Sequence, residues 1–143
     1  MSLTISIDSE SVNIVLPDTT IEHYKFEYAE GNNYAKGNAE TISMLLTIDV
    51  MEILSLEGSP EDNHKMVQDL KDWTEYEHAN KESHKEYYRK VTLNNNFDNK
   101  DIRTIILSHA YINKTMEEYN PIKGQHLITL ELMQREDMLD YGD

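Results

Sequence analysis

The stretch YYRKVTLNNNFDNKDIRTIILSHAYINKTMEEYNPIKGQHLITLELMQR, from Tyr87 to Arg135, decides the fold of this chain. It reads as three consecutive antiparallel strands. The first begins near Arg89 and is predicted to stop at Asn94-Asn95-Asn96, because short amide side chains bond nearby backbone and favour turns. The second begins near Ile102 and is rich in β-branched residues, which suit a pleated surface.

The third strand, Leu127 to Met133, alternates apolar and polar residues at the period of a half-buried strand. Its predicted core face carries Ile128, Leu130 and Leu132, and its opposite face carries Glu131. The segment Tyr119 to Gly124 precedes this strand and is predicted to be a connection, since proline and glycine interrupt regular elements. The pattern predicts a meander with one buried face and one polar face.

The segments that follow the first strand resemble a known family. They are the asparagine-rich turn, a strand that ends in His109-Ala110-Tyr111, the segment Tyr119-Asn120-Pro121 and the return strand Leu127 to Leu132. Their order resembles the C-terminal half of the tube-protein superfamily. That superfamily includes the haemolysin-coregulated protein of type VI secretion and the tail-tube subunits of contractile phages and phage-like particles.

The N-terminal part of the chain also reads as strands. Residues Thr4 to Leu16 alternate around a polar break and predict two short strands joined by a tight turn. Strands are further predicted over Ile21 to Tyr28 and over Ile42 to Ile48. The segment between them, from Glu30 to Asn38, contains two glycines and three asparagines and is predicted to be a hairpin loop.

One helix is predicted, over residues 59–76. Ser59 is placed to cap it, Pro60 suits the first helical position, and Asp62 completes a capping box three residues after the cap. Apolar residues recur at helical spacing and form the stripe that is predicted to pack over the β-structure. Its predicted core residues are Met66, Leu70 and Trp73.

These elements predict a mainly β fold: a small β-barrel or two packed antiparallel sheets, covered by the single helix. The length of 143 residues suits one tube-like domain that spans residues 1–143. Residues 136–143 form an acidic C-terminal tail, which we expect to be loosely ordered or docked on a neighbouring subunit.

Composition narrows the functions that are open to the chain. Twenty-seven acidic and thirteen basic residues give a net charge of −14, which repels phosphate backbones and disfavours nucleic-acid binding. The chain has no cysteine, so it can form neither a disulfide nor a thiolate metal site. It shows no long apolar run and no signal-like start, so we expect no membrane insertion. We expect assembly in the cytoplasm, or export without a cleaved signal peptide.

No set of residues indicates catalysis. Six histidines are present, but the pair His78 and His84 has a spacing that matches no familiar ligand set. His109 and His126 lie on predicted neighbouring strands without a carboxylate at a suitable offset. The chain lacks a phosphate-binding glycine loop and a nucleophile motif. We therefore expect no metal, no cofactor and no enzymatic activity.

The resemblance implies a structural function. It implies a subunit that forms hexameric rings, stacked into the hollow inner tube of a phage tail, a phage-like particle or a type VI secretion system. The implied partners are the chain itself, sheath and baseplate proteins, and cargo in the lumen. In this family the loop that corresponds to the hairpin loop reaches across to the neighbouring subunit or ring. The residues expected there are Asn32, Asn33, Tyr34, Lys36 and Asn38.

An acidic lumen would let acidic cargo slide without sticking. Strand residues are the expected source of this charge, and Glu131 is the clearest candidate, with Asp49 among the others. Two alternatives stay open. A monomeric acidic binding or inhibitor module would explain the charge equally well, and a tube-fold adaptor or baseplate protein would cap the tube instead of repeating along it. The size of the particle in solution separates the monomeric module from the ring.

Overall fold

The protein is described by a computed structural model that covers residues 2–29, 41–75 and 87–134. The described part is mainly β, and a helix covers the sheet, so the predicted fold class is confirmed. The strands are β1 (Ser2–Asp8), β2 (Asn13–Pro17), β3 (Ile21–Ala29), β4 (Thr41–Asp49), β5 (Arg89–Phe97), β6 (Lys100–Asn120) and β7 (Gln125–Gln134). The helices are α1 (Val50–Leu54), α2 (Pro60–Glu75) and a 3-10 turn, Asp18–Thr20.

The seven described strands form one antiparallel sheet in the order β2-β1-β5-β6-β7-β4-β3. The two edge strands, β2 and β3, do not pair with each other, so the sheet is not closed into a barrel. The architecture therefore differs from both finer forms expected from the sequence, the closed barrel and the separate pair of sheets. The strand pattern predicts that the strands have one buried face, and it leaves open whether the edges meet.

The open sheet is nevertheless strongly curled. A flat sheet of seven strands would hold its edges roughly 29 Å apart. The edges β2 and β3 are joined by only the turn Asp18–Thr20, and the four residue steps from Pro17 to Ile21 reach at most about 14 Å. In addition, the guanidinium of Arg103 on β6 lies 5.8 Å from the ring of Phe26 on β3, three strands away in the sheet order.

Strand β6 accounts for the shape of the sheet, because its two halves pair with different neighbours. The N-terminal half pairs with β5, and the C-terminal half pairs with β7. Ala110 lies at the junction, opposite both Arg89 and Gln134. The sheet thus consists of two four-stranded halves that share β6 and are offset along it by about ten residues.

The core lies inside the curl. Alternate residues of the strands face it, and the helices add Val50, Ile53, Leu70 and Trp73. The predicted core residues of β7, which are Ile128, Leu130 and Leu132, are buried. Burial of apolar surface from both halves of the sheet is the main force that holds the curl together. The buried strand residues are Ile5, Ile7, Ile14, Leu16, Ile42, Met44, Leu46, Ile48, Val91, Leu93, Ile105, Leu107, Ala110, Ile128, Leu130 and Leu132.

The expected end of the first strand in the Tyr87 to Arg135 stretch is wrong. β5 continues through the asparagine run to Phe97, and the chain reverses at Asp98 and Asn99, which both have positive φ. The amides stay in the strand because they bond each other and the next strand. Asn94 Nδ2 donates to Thr104 Oγ1 at 3.0 Å, and Asn96 Nδ2 donates to Asn94 Oδ1 at 2.7 Å.

Helix α2 begins where the sequence predicts. Ser59 Oγ accepts from the backbone N–H of Asp62 at 3.3 Å, which satisfies one of the free donors of the first turn. Leu70 and Trp73 are buried, and Met66 is half-buried against the same core. Helix α1 was not predicted, because five residues are too few for a visible apolar period. It is capped by Asp49, whose Oδ1 accepts from the backbone N–H of Met51 at 3.0 Å.

Candidate assembly surfaces

The predicted inter-subunit loop lies outside the described residues. It comprises Asn32, Asn33, Tyr34, Lys36 and Asn38. The acidic tail, 136–143, lies outside them as well. The role of both segments in contacts with a neighbouring subunit stays a prediction.

Glu131 lies on the face of β7 that is opposite to the buried Leu130 and Leu132. It stands opposite Lys114 of β6 in the sheet register, and Asn113 Nδ2 donates to Glu131 Oε1 at 2.7 Å. The carboxylate is therefore held by an amide and has a lysine as its cross-strand neighbour. Its assignment to a lumen stays a prediction.

Asp49 does not supply charge to that surface. Its side chain is buried and caps α1, so its expected contribution to a lumen is wrong. The physical reason is its position at the last residue of β4, where the chain enters a helix. A carboxylate there satisfies a backbone donor and favours the positive end of the helix dipole.

A buried aromatic group joins α2 to the start of β5. The indole Nε1 of Trp73 donates to the backbone oxygen of Tyr87 at 2.9 Å. The guanidinium of the buried Arg89 lies 5.0 Å from the centre of the Trp73 ring, within the range of a cation–π interaction. Together these contacts fix the orientation of the helix over the sheet, close to the junction of the two halves at Ala110.

Three tyrosines extend this group towards the surface. Tyr87 stacks on Tyr111 with ring centres 5.9 Å apart, and Tyr88 meets both rings edge-on. Burial, reinforced by the neighbouring Tyr88 and Tyr111, raises the pKa of Tyr87 above its usual value. The three rings therefore form an aromatic packing cluster.

The C-terminal half of β6 forms a projecting arm with the turn that follows it. We define the β6–β7 arm as residues 113–124. Residues 113–119 are all exposed, because β5 begins only at Arg89 and no described strand pairs with β6 on this side. A strand edge with unpaired backbone groups can pair with another chain.

Large apolar side chains are exposed mainly at the two ends of β6. Seven are exposed in the described part of the chain, and five of them lie on the arm or beside the turn between β5 and β6. Their exposed fractions are 48% for Met116, 65% for Tyr119, 95% for Ile122 and 57% for both Phe97 and Ile102. Single exposed apolar residues are common, but a concentration at two chain reversals indicates contact surfaces.

The tip of the arm has a defined conformation. Asn120 Oδ1 accepts from the backbone N–H groups of Ile122 and Lys123, each at 3.1 Å. Gly124 closes the turn with a φ of 65°, which glycine adopts without strain. Ile122 is thereby held outwards, although it contributes almost no buried surface to the fold. Ile122 was not identified from the sequence as a contact residue. The signal available for it was an isoleucine that stands between turn-forming residues.

The opposite end of β6 is the β5–β6 turn, which we define as residues 97–102. Phe97 and Ile102 flank it on the two strands. An open recess of about 580 Å³ lies beside it. Its lining is polar and acidic, and consists of Ser2, Asn96, Asp98, Asn99 and Asp101.

The described residues contain no group of three or more His, Cys, Asp or Glu side chains that could share a metal ion. The Nε2 atom of His126 and the carboxylate of Glu117 are hydrogen-bonded across the arm, and the His126 ring meets Tyr119 edge-on. No helix in the described ranges is both long enough and apolar enough to cross a membrane.

Two solved structures are similar to this chain over most of its length. One is Hcp1 from Flavobacterium johnsoniae, a type VI tube protein, with 10% identity and a TM-score of 0.48 over 92% of this chain and 90% of that chain. The other is a chain in the cryo-EM structure of the anti-feeding prophage baseplate, with 15% identity and a TM-score of 0.46 over 99% and 89%.

These similarities concern the overall fold alone. Both TM-scores lie below 0.5, so neither similarity carries an argument about function. No protein-family model and no curated protein sequence matches the chain. Evidence on function comes from the surfaces of the chain itself and from the resemblance in its sequence.

Proposed function

We propose that this chain is a structural component of a contractile, phage-tail-like injection system. In its more specific form, the proposal is a subunit that closes into rings, which stack into the inner tube. The sequence resemblance over Tyr87 to Arg135 supports it, as does the curled antiparallel sheet with one covering helix. The role is architectural and requires no catalytic residue.

The observation that carries the proposal is the β6–β7 arm. Its strand edge is open among the described residues, and both of its faces are exposed over 113–119. In a monomer such an edge favours aggregation, whereas a neighbouring subunit can pair with it or cover it. Head-to-tail contacts of this kind close into rings when the rotation between subunits permits it.

The ring is expected to be hexameric, by resemblance to the tube proteins. The half of the sheet that carries Glu131 is expected to line the lumen of the ring. Sheath proteins are the expected partners on the outside of the tube, and baseplate proteins are the expected partners at its end. The exposed acidic side chains of α2, which include Glu61 and Glu75, suit the outer surface.

Electron microscopy of the purified protein tests the proposal. We expect annular particles, and tubes of stacked rings at high protein concentration. A variant that places charge on the open edge, Thr115→Lys, should reduce the number of annular particles because lysine on an edge opposes strand pairing. Glu75→Lys, at an exposed position of α2, is the matched control, and it should assemble normally. Purified protein without rings or tubes at any concentration would contradict the proposal.

The net charge of −14 supports a second candidate, a monomeric acidic module that masks a basic site on another protein. Such a module would bind its partner with a strong dependence on salt and would not need the open edge. Pull-down from the source organism separates the candidates. Recovery of sheath or baseplate components supports the structural role, and recovery of one basic protein in a 1:1 complex supports the module.

A further inference from the structure

The two ends of β6 present surfaces of complementary character. The tip of the β6–β7 arm offers the exposed Ile122 followed by the exposed Lys123. The β5–β6 turn offers the exposed Phe97 and Ile102 next to a recess lined by the carboxylates of Asp98 and Asp101. One end thus combines an apolar side chain with a positive charge, and the other combines apolar side chains with negative charge.

We propose that the tip of the arm of one copy docks against the β5–β6 turn of the next copy, with Ile122 on Phe97 and Ile102, and Lys123 facing Asp98 and Asp101. The occupant of this surface is therefore a second copy of the chain. The inference rests on the proposed function, because it names the contact through which subunits stack along the axis. It assigns that contact to residues other than the predicted loop at 32–38.

Geometry favours contact between different copies. The two surfaces lie at opposite ends of a 21-residue strand, whose contour length is roughly 65 Å. A tip that meets the other end of the next copy forms a heterologous contact, and such contacts repeat without limit unless a rotation closes them. Stacking along an axis needs a contact of this type.

The tip is prepared for binding. Its two N–H bonds to Asn120 Oδ1 and the left-handed Gly124 fix the turn before any partner arrives. Little conformational freedom is then lost on docking, so a small apolar contact retains more of its binding free energy. The 95% exposure of Ile122 leaves it free to be buried by a partner.

Charge supports the same pairing in both directions. Lys123 is the only charged residue between Pro121 and Gly124, whereas the recess at the other end contains two carboxylates and no basic residue. In the docked pair, Lys100 of the β5–β6 turn would face the carboxylates of Glu117 and Glu118 on the arm, which line a second recess. Two tips of the same kind would place lysine against lysine, which disfavours a symmetric contact.

The natural absence of cysteine allows a direct crosslinking test. The double variant Ile122→Cys with Ile102→Cys places one thiol at each end of β6. Upon mild oxidation we expect a ladder of dimers, trimers and higher species on a non-reducing gel, which collapses on reduction. Each single variant should stay largely uncrosslinked, and a mixture of the two should give dimers alone, because each contact needs one thiol of each kind.

Two further variants act as controls. Ile122→Cys with Val15→Cys uses an exposed apolar residue of the edge strand β2 and should give no ladder. Lys123→Glu, introduced into the double-cysteine variant, reverses the charge at the tip of the arm. It should lower the yield of the crosslinked ladder about tenfold, because an attractive charge pair becomes repulsive. The further change Asp101→Lys should restore it. Far-ultraviolet circular dichroism checks that every variant is folded.

Two results would overturn the inference: a double-cysteine variant without a ladder, or an Ile122→Cys variant that forms dimers by itself as readily as the double variant. Rings or tubes that form without this crosslink would leave the proposed function standing and refute only the contact. A ladder from protein that forms no rings would leave the contact standing and refute the proposed ring. The failures of the two proposals are thus distinguishable.

Discussion

The junction at Ala110 and the β6–β7 arm belong to one strand, yet they differ in almost every physical respect. At the junction β6 pairs on both sides, with β5 and β7, and packs near the buried Trp73 and Arg89. Along the arm β6 pairs on one side only, as far as the described strands go, and exposes its side chains. The comparison separates two functions: the junction holds the fold together, and the arm carries apolar groups that the fold does not need.

Trp73→Ala should give the largest effect, because it removes the side chain that fixes α2 at the junction. The loss of buried surface, the resulting cavity and the unpaired backbone oxygen of Tyr87 should together lower the free energy of unfolding by about 3–5 kcal/mol. Denaturant-induced unfolding measures this loss of stability. The transition is followed by far-ultraviolet circular dichroism, because the variant lacks the only tryptophan of the chain. A midpoint equal to that of the wild type would show that the helix does not pack as described.

The next effect concerns the two helix caps. Asp49→Ala and Ser59→Ala each remove an oxygen that accepts from a first-turn N–H, so each should cost about 0.5–2 kcal/mol. The change at Asp49 should cost more, because that carboxylate is buried and the Ser59 cap is exposed. Equal losses in urea unfolding would argue against the buried cap. Asp49→Asn, which retains an acceptor, is the conservative control.

A third effect appears only at high pH. Because the pKa of Tyr87 is raised in the folded protein, the folded state keeps this phenol protonated where the unfolded chain, at about 10, loses the proton. Stability should therefore be unaffected by this group below pH 10 and should fall as the pH rises through the raised pKa. Tyr87→Phe should make the decline less steep, whereas Tyr119→Phe on the arm should leave its shape unchanged. Thermal unfolding between pH 8 and 11 provides the measurement.

The junction was largely predictable from the sequence. The alternation in β7 identifies Ile128, Leu130 and Leu132 as one face, and the period of α2 identifies Leu70 and Trp73. Both patterns result from burial against a single core, because a residue on the buried face recurs at the period of its strand or helix. The cap at Ser59 was predictable for a similar reason, since one residue type satisfies the donors of the first turn.

The arm and the curl were not predictable in this way. The length of β6 depends on having two partners in succession, and no local pattern records which strand pairs with which half. The asparagines of β5 favour turns by composition, but Asn94 bonds across to Thr104 and Asn96 bonds to Asn94, and these contacts hold them in the sheet. Closure of the sheet depends on whether the edge strands β2 and β3 pair with each other, and no local sequence pattern records that.

The smallest effect on stability is expected at the predicted loop, 32–38. Its replacement by a two-residue turn removes polar and glycine-rich chain with little to bury, so the thermal transition should stay nearly unchanged. Assembly should weaken or disappear, because the loop is predicted to reach a neighbour. Normal stacking of the shortened protein would show that the loop makes no inter-subunit contact and would leave the arm as the site of assembly.

The mass of the particle in solution tests the central claim most directly. Light scattering coupled to gel filtration gives the mass of the assembled particle, and the chain itself weighs 16.7 kDa. A ring subunit predicts a discrete species at about six chain masses, by resemblance to the tube proteins, with larger stacks as the concentration rises. A single species near 16.7 kDa at every concentration would contradict the account and would favour the monomeric acidic module.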